Sequence, residues 1–265
     1  MSEAAPAPPC RRPAIPSFFD LVALDSVDST NDEAARRAAA GAPEGLLVWA
    51  LRQSEGRGRG GRRWHSPPGN LHCSLLLRVA RDPAGASELA FVAALAVRQS
   101  VAELVSGCRV LCKWPNDVLI DGLKVAGVLL EAEPEDGATR VVVGIGVNVA
   151  HHPGDTLYPA THLAAHAGRS VTVADVLDRL APALLGWRDL WLRDGFGPIR
   201  EAWLAHAAGL GRSITARLPG RELKGRFLSL DRRGALALRT ADGQTHLVAA
   251  GDVFPGTGRD PTGPA

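Results

Sequence analysis

A chain of 265 residues, 46% hydrophobic and 22% charged, has the length for one large globular domain or a medium and a small one, with apolar material for a sizeable core. Its apolar runs stop well short of the ~18 residues of a membrane helix, and no apolar h-region follows Arg11 and Arg12, so neither a membrane span nor a secretory signal is expected and the cytoplasm is the predicted location. Lys and Arg total 30 against 28 Asp and Glu, a net charge of +2, which excludes the global basic field that by itself implies nucleic acid.

Residues 1–16 hold five prolines (Pro6, Pro8, Pro9, Pro13 and Pro16) and too little apolar material to pack, which predicts a disordered lead-in. Phe18 to Leu24 is a strand candidate. Ser29-Thr30-Asn31-Asp32-Glu33 then opens an Ala-rich helix that stops at Gly41, with Thr30 and Glu33 able to form a capping box. Gly45 to Arg52 and Leu71 to Val79 read as strands joined by a long Gly/Arg loop. From Glu88 to Val105 apolar residues recur at helical spacing, and Gly107 stops the run. Arg109 to Lys113, Val118 to Ile120, Leu123 to Glu131 and Thr139 to Val149 follow as closely spaced strands, with Asp121-Gly122 as a hairpin turn, and predict an antiparallel sheet. Val173 to Arg193, with Pro182 as a kink, and Pro198 to Ala208 are helical. Beyond Gly209 and Gly211, Ser213 to Leu218, Lys224 to Leu230, Ala235 to Arg239 and Thr245 to Ala249 are short strands divided by turns, the pattern of a small β-barrel, with a frayed tail from Pro255.

Gly56 to Trp64 puts Arg57, Arg59, Arg62 and Arg63 on a glycine-rich backbone, so that guanidinium groups and backbone can wrap a carboxylate or phosphate while Trp64 covers a base or anchors the loop. A flexible solvated loop or a nucleic-acid-binding Arg/Gly segment has the same charge pattern. Lys113-Trp114-Pro115-Asn116-Asp117 ends a strand in polar groups, and Lys124 stands alone between apolar residues. A buried lysine requires an anionic partner; an edge-strand lysine reaching solvent is the alternative. Asn116 and Asp117 suit a turn, a ribose or a Mg²⁺ ion. Gly144-Ile145-Gly146-Val147-Asn148 lacks the third glycine and helix of a dinucleotide fingerprint, and there is no P-loop. Cys10, Cys73, Cys108 and Cys112 are read as free thiols, and His151, His152 and the other histidines as surface residues without a spaced metal set.

Taken in order, Asp28-Ser29-Thr30-Asn31, Gln53, Gly56 to Trp64, Lys113 to Asp117, Lys124 to Gly127 and Gly144 to Asn148 resemble the biotin protein ligase family over about residues 25–150. The resemblance implies an α+β catalytic domain over residues 17–208, with an antiparallel sheet related to class II aminoacyl-tRNA synthetases, and an SH3-like C-terminal barrel over residues 209–265. It further implies that Ser29, Thr30 and Asn31 hydrogen-bond the ureido end of biotin, and that Gln53, Arg57, Gly58 and Arg59 enclose biotin and the adenylate phosphate. Lys124 and Arg59 would stabilise charge as the carboxylate of biotin attacks the α-phosphorus of MgATP. Trp64, Asn116, Gly127 and Asn148 would line the nucleotide side, with the metal ligands unassigned. Asp117 would orient or deprotonate the acceptor lysine of a biotin carboxyl carrier domain. Members that repress transcription carry an N-terminal helix-turn-helix, for which there is no room before Phe18, so a monofunctional ligase without operator binding is expected. A homodimer is compatible with the sequence. Lipoate protein ligase, sharing fold and chemistry, and a nucleic-acid-binding module using Arg57 to Arg63 are the rival readings.

Overall fold

The computed structural model describes residues 11–135, 137–154, 156 and 158–256, so most of the expected lead-in and of the tail lies outside the described residues. Strands β1 (Asp20–Leu24), β2 (Leu46–Ala50), β3 (Leu71–Val79), β4 (Val110–Lys113), β5 (Asp117–Ile120), β6 (Leu123–Glu135) and β7 (Ala138–Val147) form one sheet in the order β1-β2-β3-β7-β6-β5-β4. The sheet departs from the expected antiparallel one at a single place. β1 and β2 run parallel, because helix α1 (Thr30–Ala39) lies between them and parallel neighbours need such a crossover. The β5–β6 hairpin turns on Asp121 (φ 48°) and Gly122 (φ 86°), the two positive-φ residues of the expected tight turn.

Alternation along the strands divides the sheet into two faces. Leu47, Trp49, Cys73, Leu75, Val143 and Ile145 point into the main core, where they meet helices α3 (Leu89–Leu104), α4 (Val173–Asp194) and α5 (Phe196–Ala205). Leu46, Val48, Leu76 and Val142 point the other way, onto Ala34 and Ala38 of α1. Helix α1 has ten residues, about 15 Å, and covers only one end of its face. Ser29, not Thr30, is its N-cap, its hydroxyl accepting from Asp32 N–H at 3.5 Å; Glu33 pairs with Arg36 and Arg37, so no capping box forms. Helix α4 begins with a true capping box, Thr172 with Asp175, and runs through Pro182 as one helix. Residues 11–16 carry no helix or strand, yet Arg11 and the Ala14 N–H bond to carboxylates of α4. A one-turn helix, α2 (Pro83–Ala86), escapes the sequence pattern.

The C-terminal part is a five-stranded antiparallel sheet of β8 (Ser213–Leu218), β9 (Arg221–Leu230), β10 (Leu236–Arg239), β11 (Thr245–Val248) and β12 (Asp252–Pro255), ordered β11-β10-β9-β8-β12. β12 takes up residues read from sequence as the approach to a frayed tail. The expected closed barrel is not formed: among the described residues the four-residue outer strands β11 and β12 do not pair. The C-terminal sheet is tied to the larger part where Trp114 Nε1, just after β4, donates to Gly234 O at 3.0 Å and Arg200 Nε of α5 to Leu230 O at 2.7 Å. Among the described residues no helix is long and apolar enough to cross a membrane. Cys73, Cys108 and Cys112 are free thiols, and burial pushes Cys73 and Cys112 up to about 12.

Candidate active site

Beyond the reach of α1, the sheet face opens into a cavity of about 760 Å³, a volume suited to a small-molecule ligand. The residues given a ligand or catalytic role from the resemblance all line it: Ser29, Thr30, Asn31, Gln53, Arg57, Gly58, Arg59, Trp64, Asn116, Asp117, Lys124, Gly127 and Asn148. Its floor is made by missing side chains. A Cβ on Gly146 would stand 2.4 Å from the Trp64 indole, and one on Gly144 2.3 Å from Asn31 Oδ1. Gly144-Ile145-Gly146 is therefore a pair of seats, one for an asparagine and one for a tryptophan, rather than a fragment of a dinucleotide loop.

One end of the cavity is a network of largely neutral polar groups. Ser29, Thr30 and Asn31 at the start of α1 are all buried. Gln53 Oε1 accepts from Thr30 N and Thr30 Oγ1 (2.8 and 3.0 Å), while its Nε2 donates to Ser66 Oγ at 2.9 Å. Ser74 Oγ of β3 lies 2.7 Å from Thr30 Oγ1 and 2.6 Å from Asn31 Oδ1. Asn31 Nδ2 donates to Glu131 Oε2 at 2.9 Å, and Arg57 forks onto Asp32 at 2.5 and 2.6 Å and reaches Glu131 at 3.3 Å. Ser74 and Glu131 were missed in the sequence. The available signal was the strand period, which puts Glu131 on the same side of β6 as Gly127.

At the other end the charges are concentrated. Asp117 Oδ2 accepts from Lys113 Nζ at 2.8 Å and its Oδ1 from Lys124 Nζ at 2.5 Å. Lys124 thus has the anionic partner its place demands, and it sits on an interior strand, not an edge. Burial would raise the Asp117 carboxyl, but the Lys124 and Lys113 ammonium groups outweigh it and hold the group below the usual carboxylate range. Burial draws Lys113 downward more than Asp117 raises it. Lys124 Nζ lies 5.4 Å from the Trp64 ring centroid, and Lys113 Nζ 4.1 Å from that of Tyr158. Asn116 gives its amide N–H to Val128 O and Asn148 to Thr161 O.

The Gly/Arg loop is ordered as a tight irregular hairpin. Gly58 N–H donates to Arg62 O at 2.6 Å and Trp64 N–H to Gly56 O at 2.8 Å, around a 3₁₀ turn at Arg59–Gly61 that needs positive φ at Gly60 and Gly61. Arg59 donates to Asp252 Oδ1 at 2.7 Å and to Gly251 O, and Arg62 forks onto Asp252 at 3.1 Å. The C-terminal sheet thereby supplies a wall: Asp252 and Phe254 of β12 line the cavity, and Phe254 packs on Tyr158 at 5.9 Å. Tyr158, Asp252 and Phe254 had no local signal in the sequence.

A polar neutral recess joined to a cluster of cations and flanked by an indole can hold an elongated ligand with a polar head and an anionic tail. Residues 23–148 match the biotin/lipoate A/B protein ligase family, and residues 209–256 match the biotin protein ligase C-terminal domain. The chain is 42% identical over 241 residues to a biotin--[acetyl-CoA-carboxylase] ligase of Paracoccus denitrificans, covering 87% of this chain and 98% of that one. It is similar in structure to the Aquifex aeolicus biotin protein ligase in complex with biotin and ATP, at TM-score 0.76 and 27% identity over 89% of this chain and 99% of that one. A Leishmania major biotin protein ligase in complex with biotinyl-5-AMP aligns at TM-score 0.63 and 28% identity over 87% and 99% of the two chains.

Proposed function

The chain belongs to the biotin protein ligase family, and from that premise we propose that it activates biotin with ATP and transfers it to a lysine of the biotin carboxyl carrier domain of a carboxylase. The observation that carries the reading is the joining, in one cavity, of a buried polar recess to the Lys124 and Arg59 cations. Ser29, Thr30 and Asn31 hold the ureido head, with Gln53 fixing Thr30 and Glu131 fixing Asn31. Arg57, Gly58 and Arg59 enclose the carboxylate tail and the phosphate. A biotin carboxylate oxygen bonds to the α-phosphorus of ATP as the bond to pyrophosphate breaks, and Lys124 and Arg59 offset the charge that builds on the phosphoryl oxygens. The acceptor amine then attacks the acyl carbon; AMP departs and the amine proton goes to solvent. Trp64, Gly127, Asn116 and Asn148 take the nucleotide side.

The charged clamp around Asp117 favours a positioning role over proton abstraction, since a carboxylate held low between two ammonium groups is a weak base. The cavity's carboxylates, Asp117 and Asp252, are both committed to cations. They do not fit a resident magnesium site, which takes one or two free carboxylates. Magnesium enters as part of the MgATP substrate. The relation of the larger sheet to class II aminoacyl-tRNA synthetases and a cytoplasmic location belong to this reading.

The test is biotin-dependent exchange of labelled pyrophosphate into ATP. Wild type should exchange, Lys124→Ala and Arg59→Ala should lose it by at least about 100-fold, and lipoate should not replace biotin. Absence of exchange in folded, magnesium-supplied protein would sink the reading; exchange with lipoate alone would move it to the lipoate branch.

A further inference from the structure

Outside the cavity, Cys108, Asp121 and His166 bring a thiol, a carboxylate and an imidazole together from three separate segments: the lead into β4, the β5–β6 turn and the residue after a short 3₁₀ helix at Leu163–Ala165. Their ligand atoms all lie within 4.8 Å of one another, and Cys108 Sγ is 3.9 Å from His166 Nδ1. Ligands on one tetrahedral zinc ion stand about 3.3–3.8 Å apart for the usual Zn–N and Zn–S bond lengths. Small side-chain rotations therefore suffice to bring all three onto one ion.

Two of the three ligands are also held from behind. His166 Nε2 lies 2.7 Å from Thr161 Oγ1, a bond that, with Nε2–H as donor, leaves the Nδ1 lone pair facing Cys108. Asp121 Oδ1 accepts from Arg109 N–H at 2.9 Å, which fixes the carboxylate beside the thiol. All three side chains are at least partly exposed, so an ion has an entry path and a place for a water ligand.

We propose that Cys108, Asp121 and His166 form a zinc site, with three protein ligands of S, O and N type and one open position. The soft thiolate and borderline imidazole beside the hard carboxylate select zinc or cobalt over magnesium or calcium, which favour all-oxygen donors. Binding replaces the thiol proton by a sulfur–metal bond and releases the proton to solvent. The ion would pin the 3₁₀ segment to the β5–β6 turn. That segment adjoins Pro159–Thr161, whose backbone bonds to Lys124 at Lys124 N→Pro159 O (2.8 Å) and Thr161 N→Lys124 O (2.9 Å), so the metal would brace the loop beside the cavity.

The test is titration of chelator-treated protein with Co²⁺, followed by displacement with Zn²⁺. The expected result is a 1:1 complex with a thiolate-to-cobalt charge-transfer band that Zn²⁺ abolishes. Cys108→Ser and His166→Ala should each remove the band, Thr161→Val should weaken binding about 10–100-fold, and His152→Ala and Cys10→Ser should leave it unchanged. Thermal unfolding in chelator checks that each variant is folded. No band in wild type at millimolar Co²⁺, or a band that survives Cys108→Ser, overturns the proposal.

Discussion

The carboxylate of Asp117 is shared by two ammonium groups, and Lys113 and Asp117 are both nearly out of solvent. Removing one partner of a buried ion pair leaves the other uncompensated and commonly costs about 3–5 kcal/mol. Asp117→Asn is therefore expected to lower stability by roughly 3 kcal/mol in urea unfolding and to slow adenylate formation and transfer alike, because Lys124 loses its anchor. A loss confined to single-turnover transfer would instead restore the base role that the sequence suggested. Gly146→Ala is a second test at this scale. Its methyl would meet the indole at 2.4 Å, and such overpacking costs about 1–3 kcal/mol. The expected outcome is a displaced Trp64, read as a raised KM for ATP with the fold intact by circular dichroism. The lysines, arginines and glycines of this site were legible because their residue types are conspicuous where they stand. Glu131 and Asp252 were not, since an acidic residue on a strand announces nothing until folding brings its arginine to it.

Among the elements, those whose pattern is set locally came through: α3 with its apolar period, the Asp121-Gly122 hairpin, the helix after Ser29. Those set by distant partners did not. The parallel pairing of β1 with β2 depends on where α1 docks, and β12 is a four-residue run that becomes a strand only because β8 offers it an edge. That strand also orders the arginine loop through Asp252. Burial would raise the Asp252 carboxyl, but hydrogen bonding and attraction from Arg62 and Arg59 hold it below the usual range. Asp252→Asn removes the charge that both arginines share, and residues 57–63 are then expected to exchange amide hydrogen faster, by roughly tenfold for each 1.4 kcal/mol of local stability lost. Unchanged protection of the loop would show that its own hairpin bonds suffice.

For the molecule as a whole, the sheet is a partition with a packed side and a side left half open, and a titratable group is buried in it. Burial pulls the His72 imidazole down to about 4 from its usual 6.5, opposed only by its bond to Pro67 O. The unfolded chain takes up this proton first, so the stability is full above about pH 6.5 and is lost as pH falls from there toward 4. By pH 5 the loss attributable to His72 is about 2 kcal/mol, at 1.36 kcal/mol per pH unit. Urea midpoints at pH 7 and pH 5 should separate in wild type by more than in His72→Gln; equal separations would refute it. The two-part organisation has a consequence for biosynthesis. Residues 252 and 254 enter the cavity wall from a strand that follows every other lining residue in the chain. A polypeptide still emerging from the ribosome can pair all seven strands of the larger sheet and hold Lys124 against Asp117, yet it lacks the acidic clasp on its arginines. The cavity wall is therefore complete only once residues 252 and 254 have been made, after every other residue that lines it.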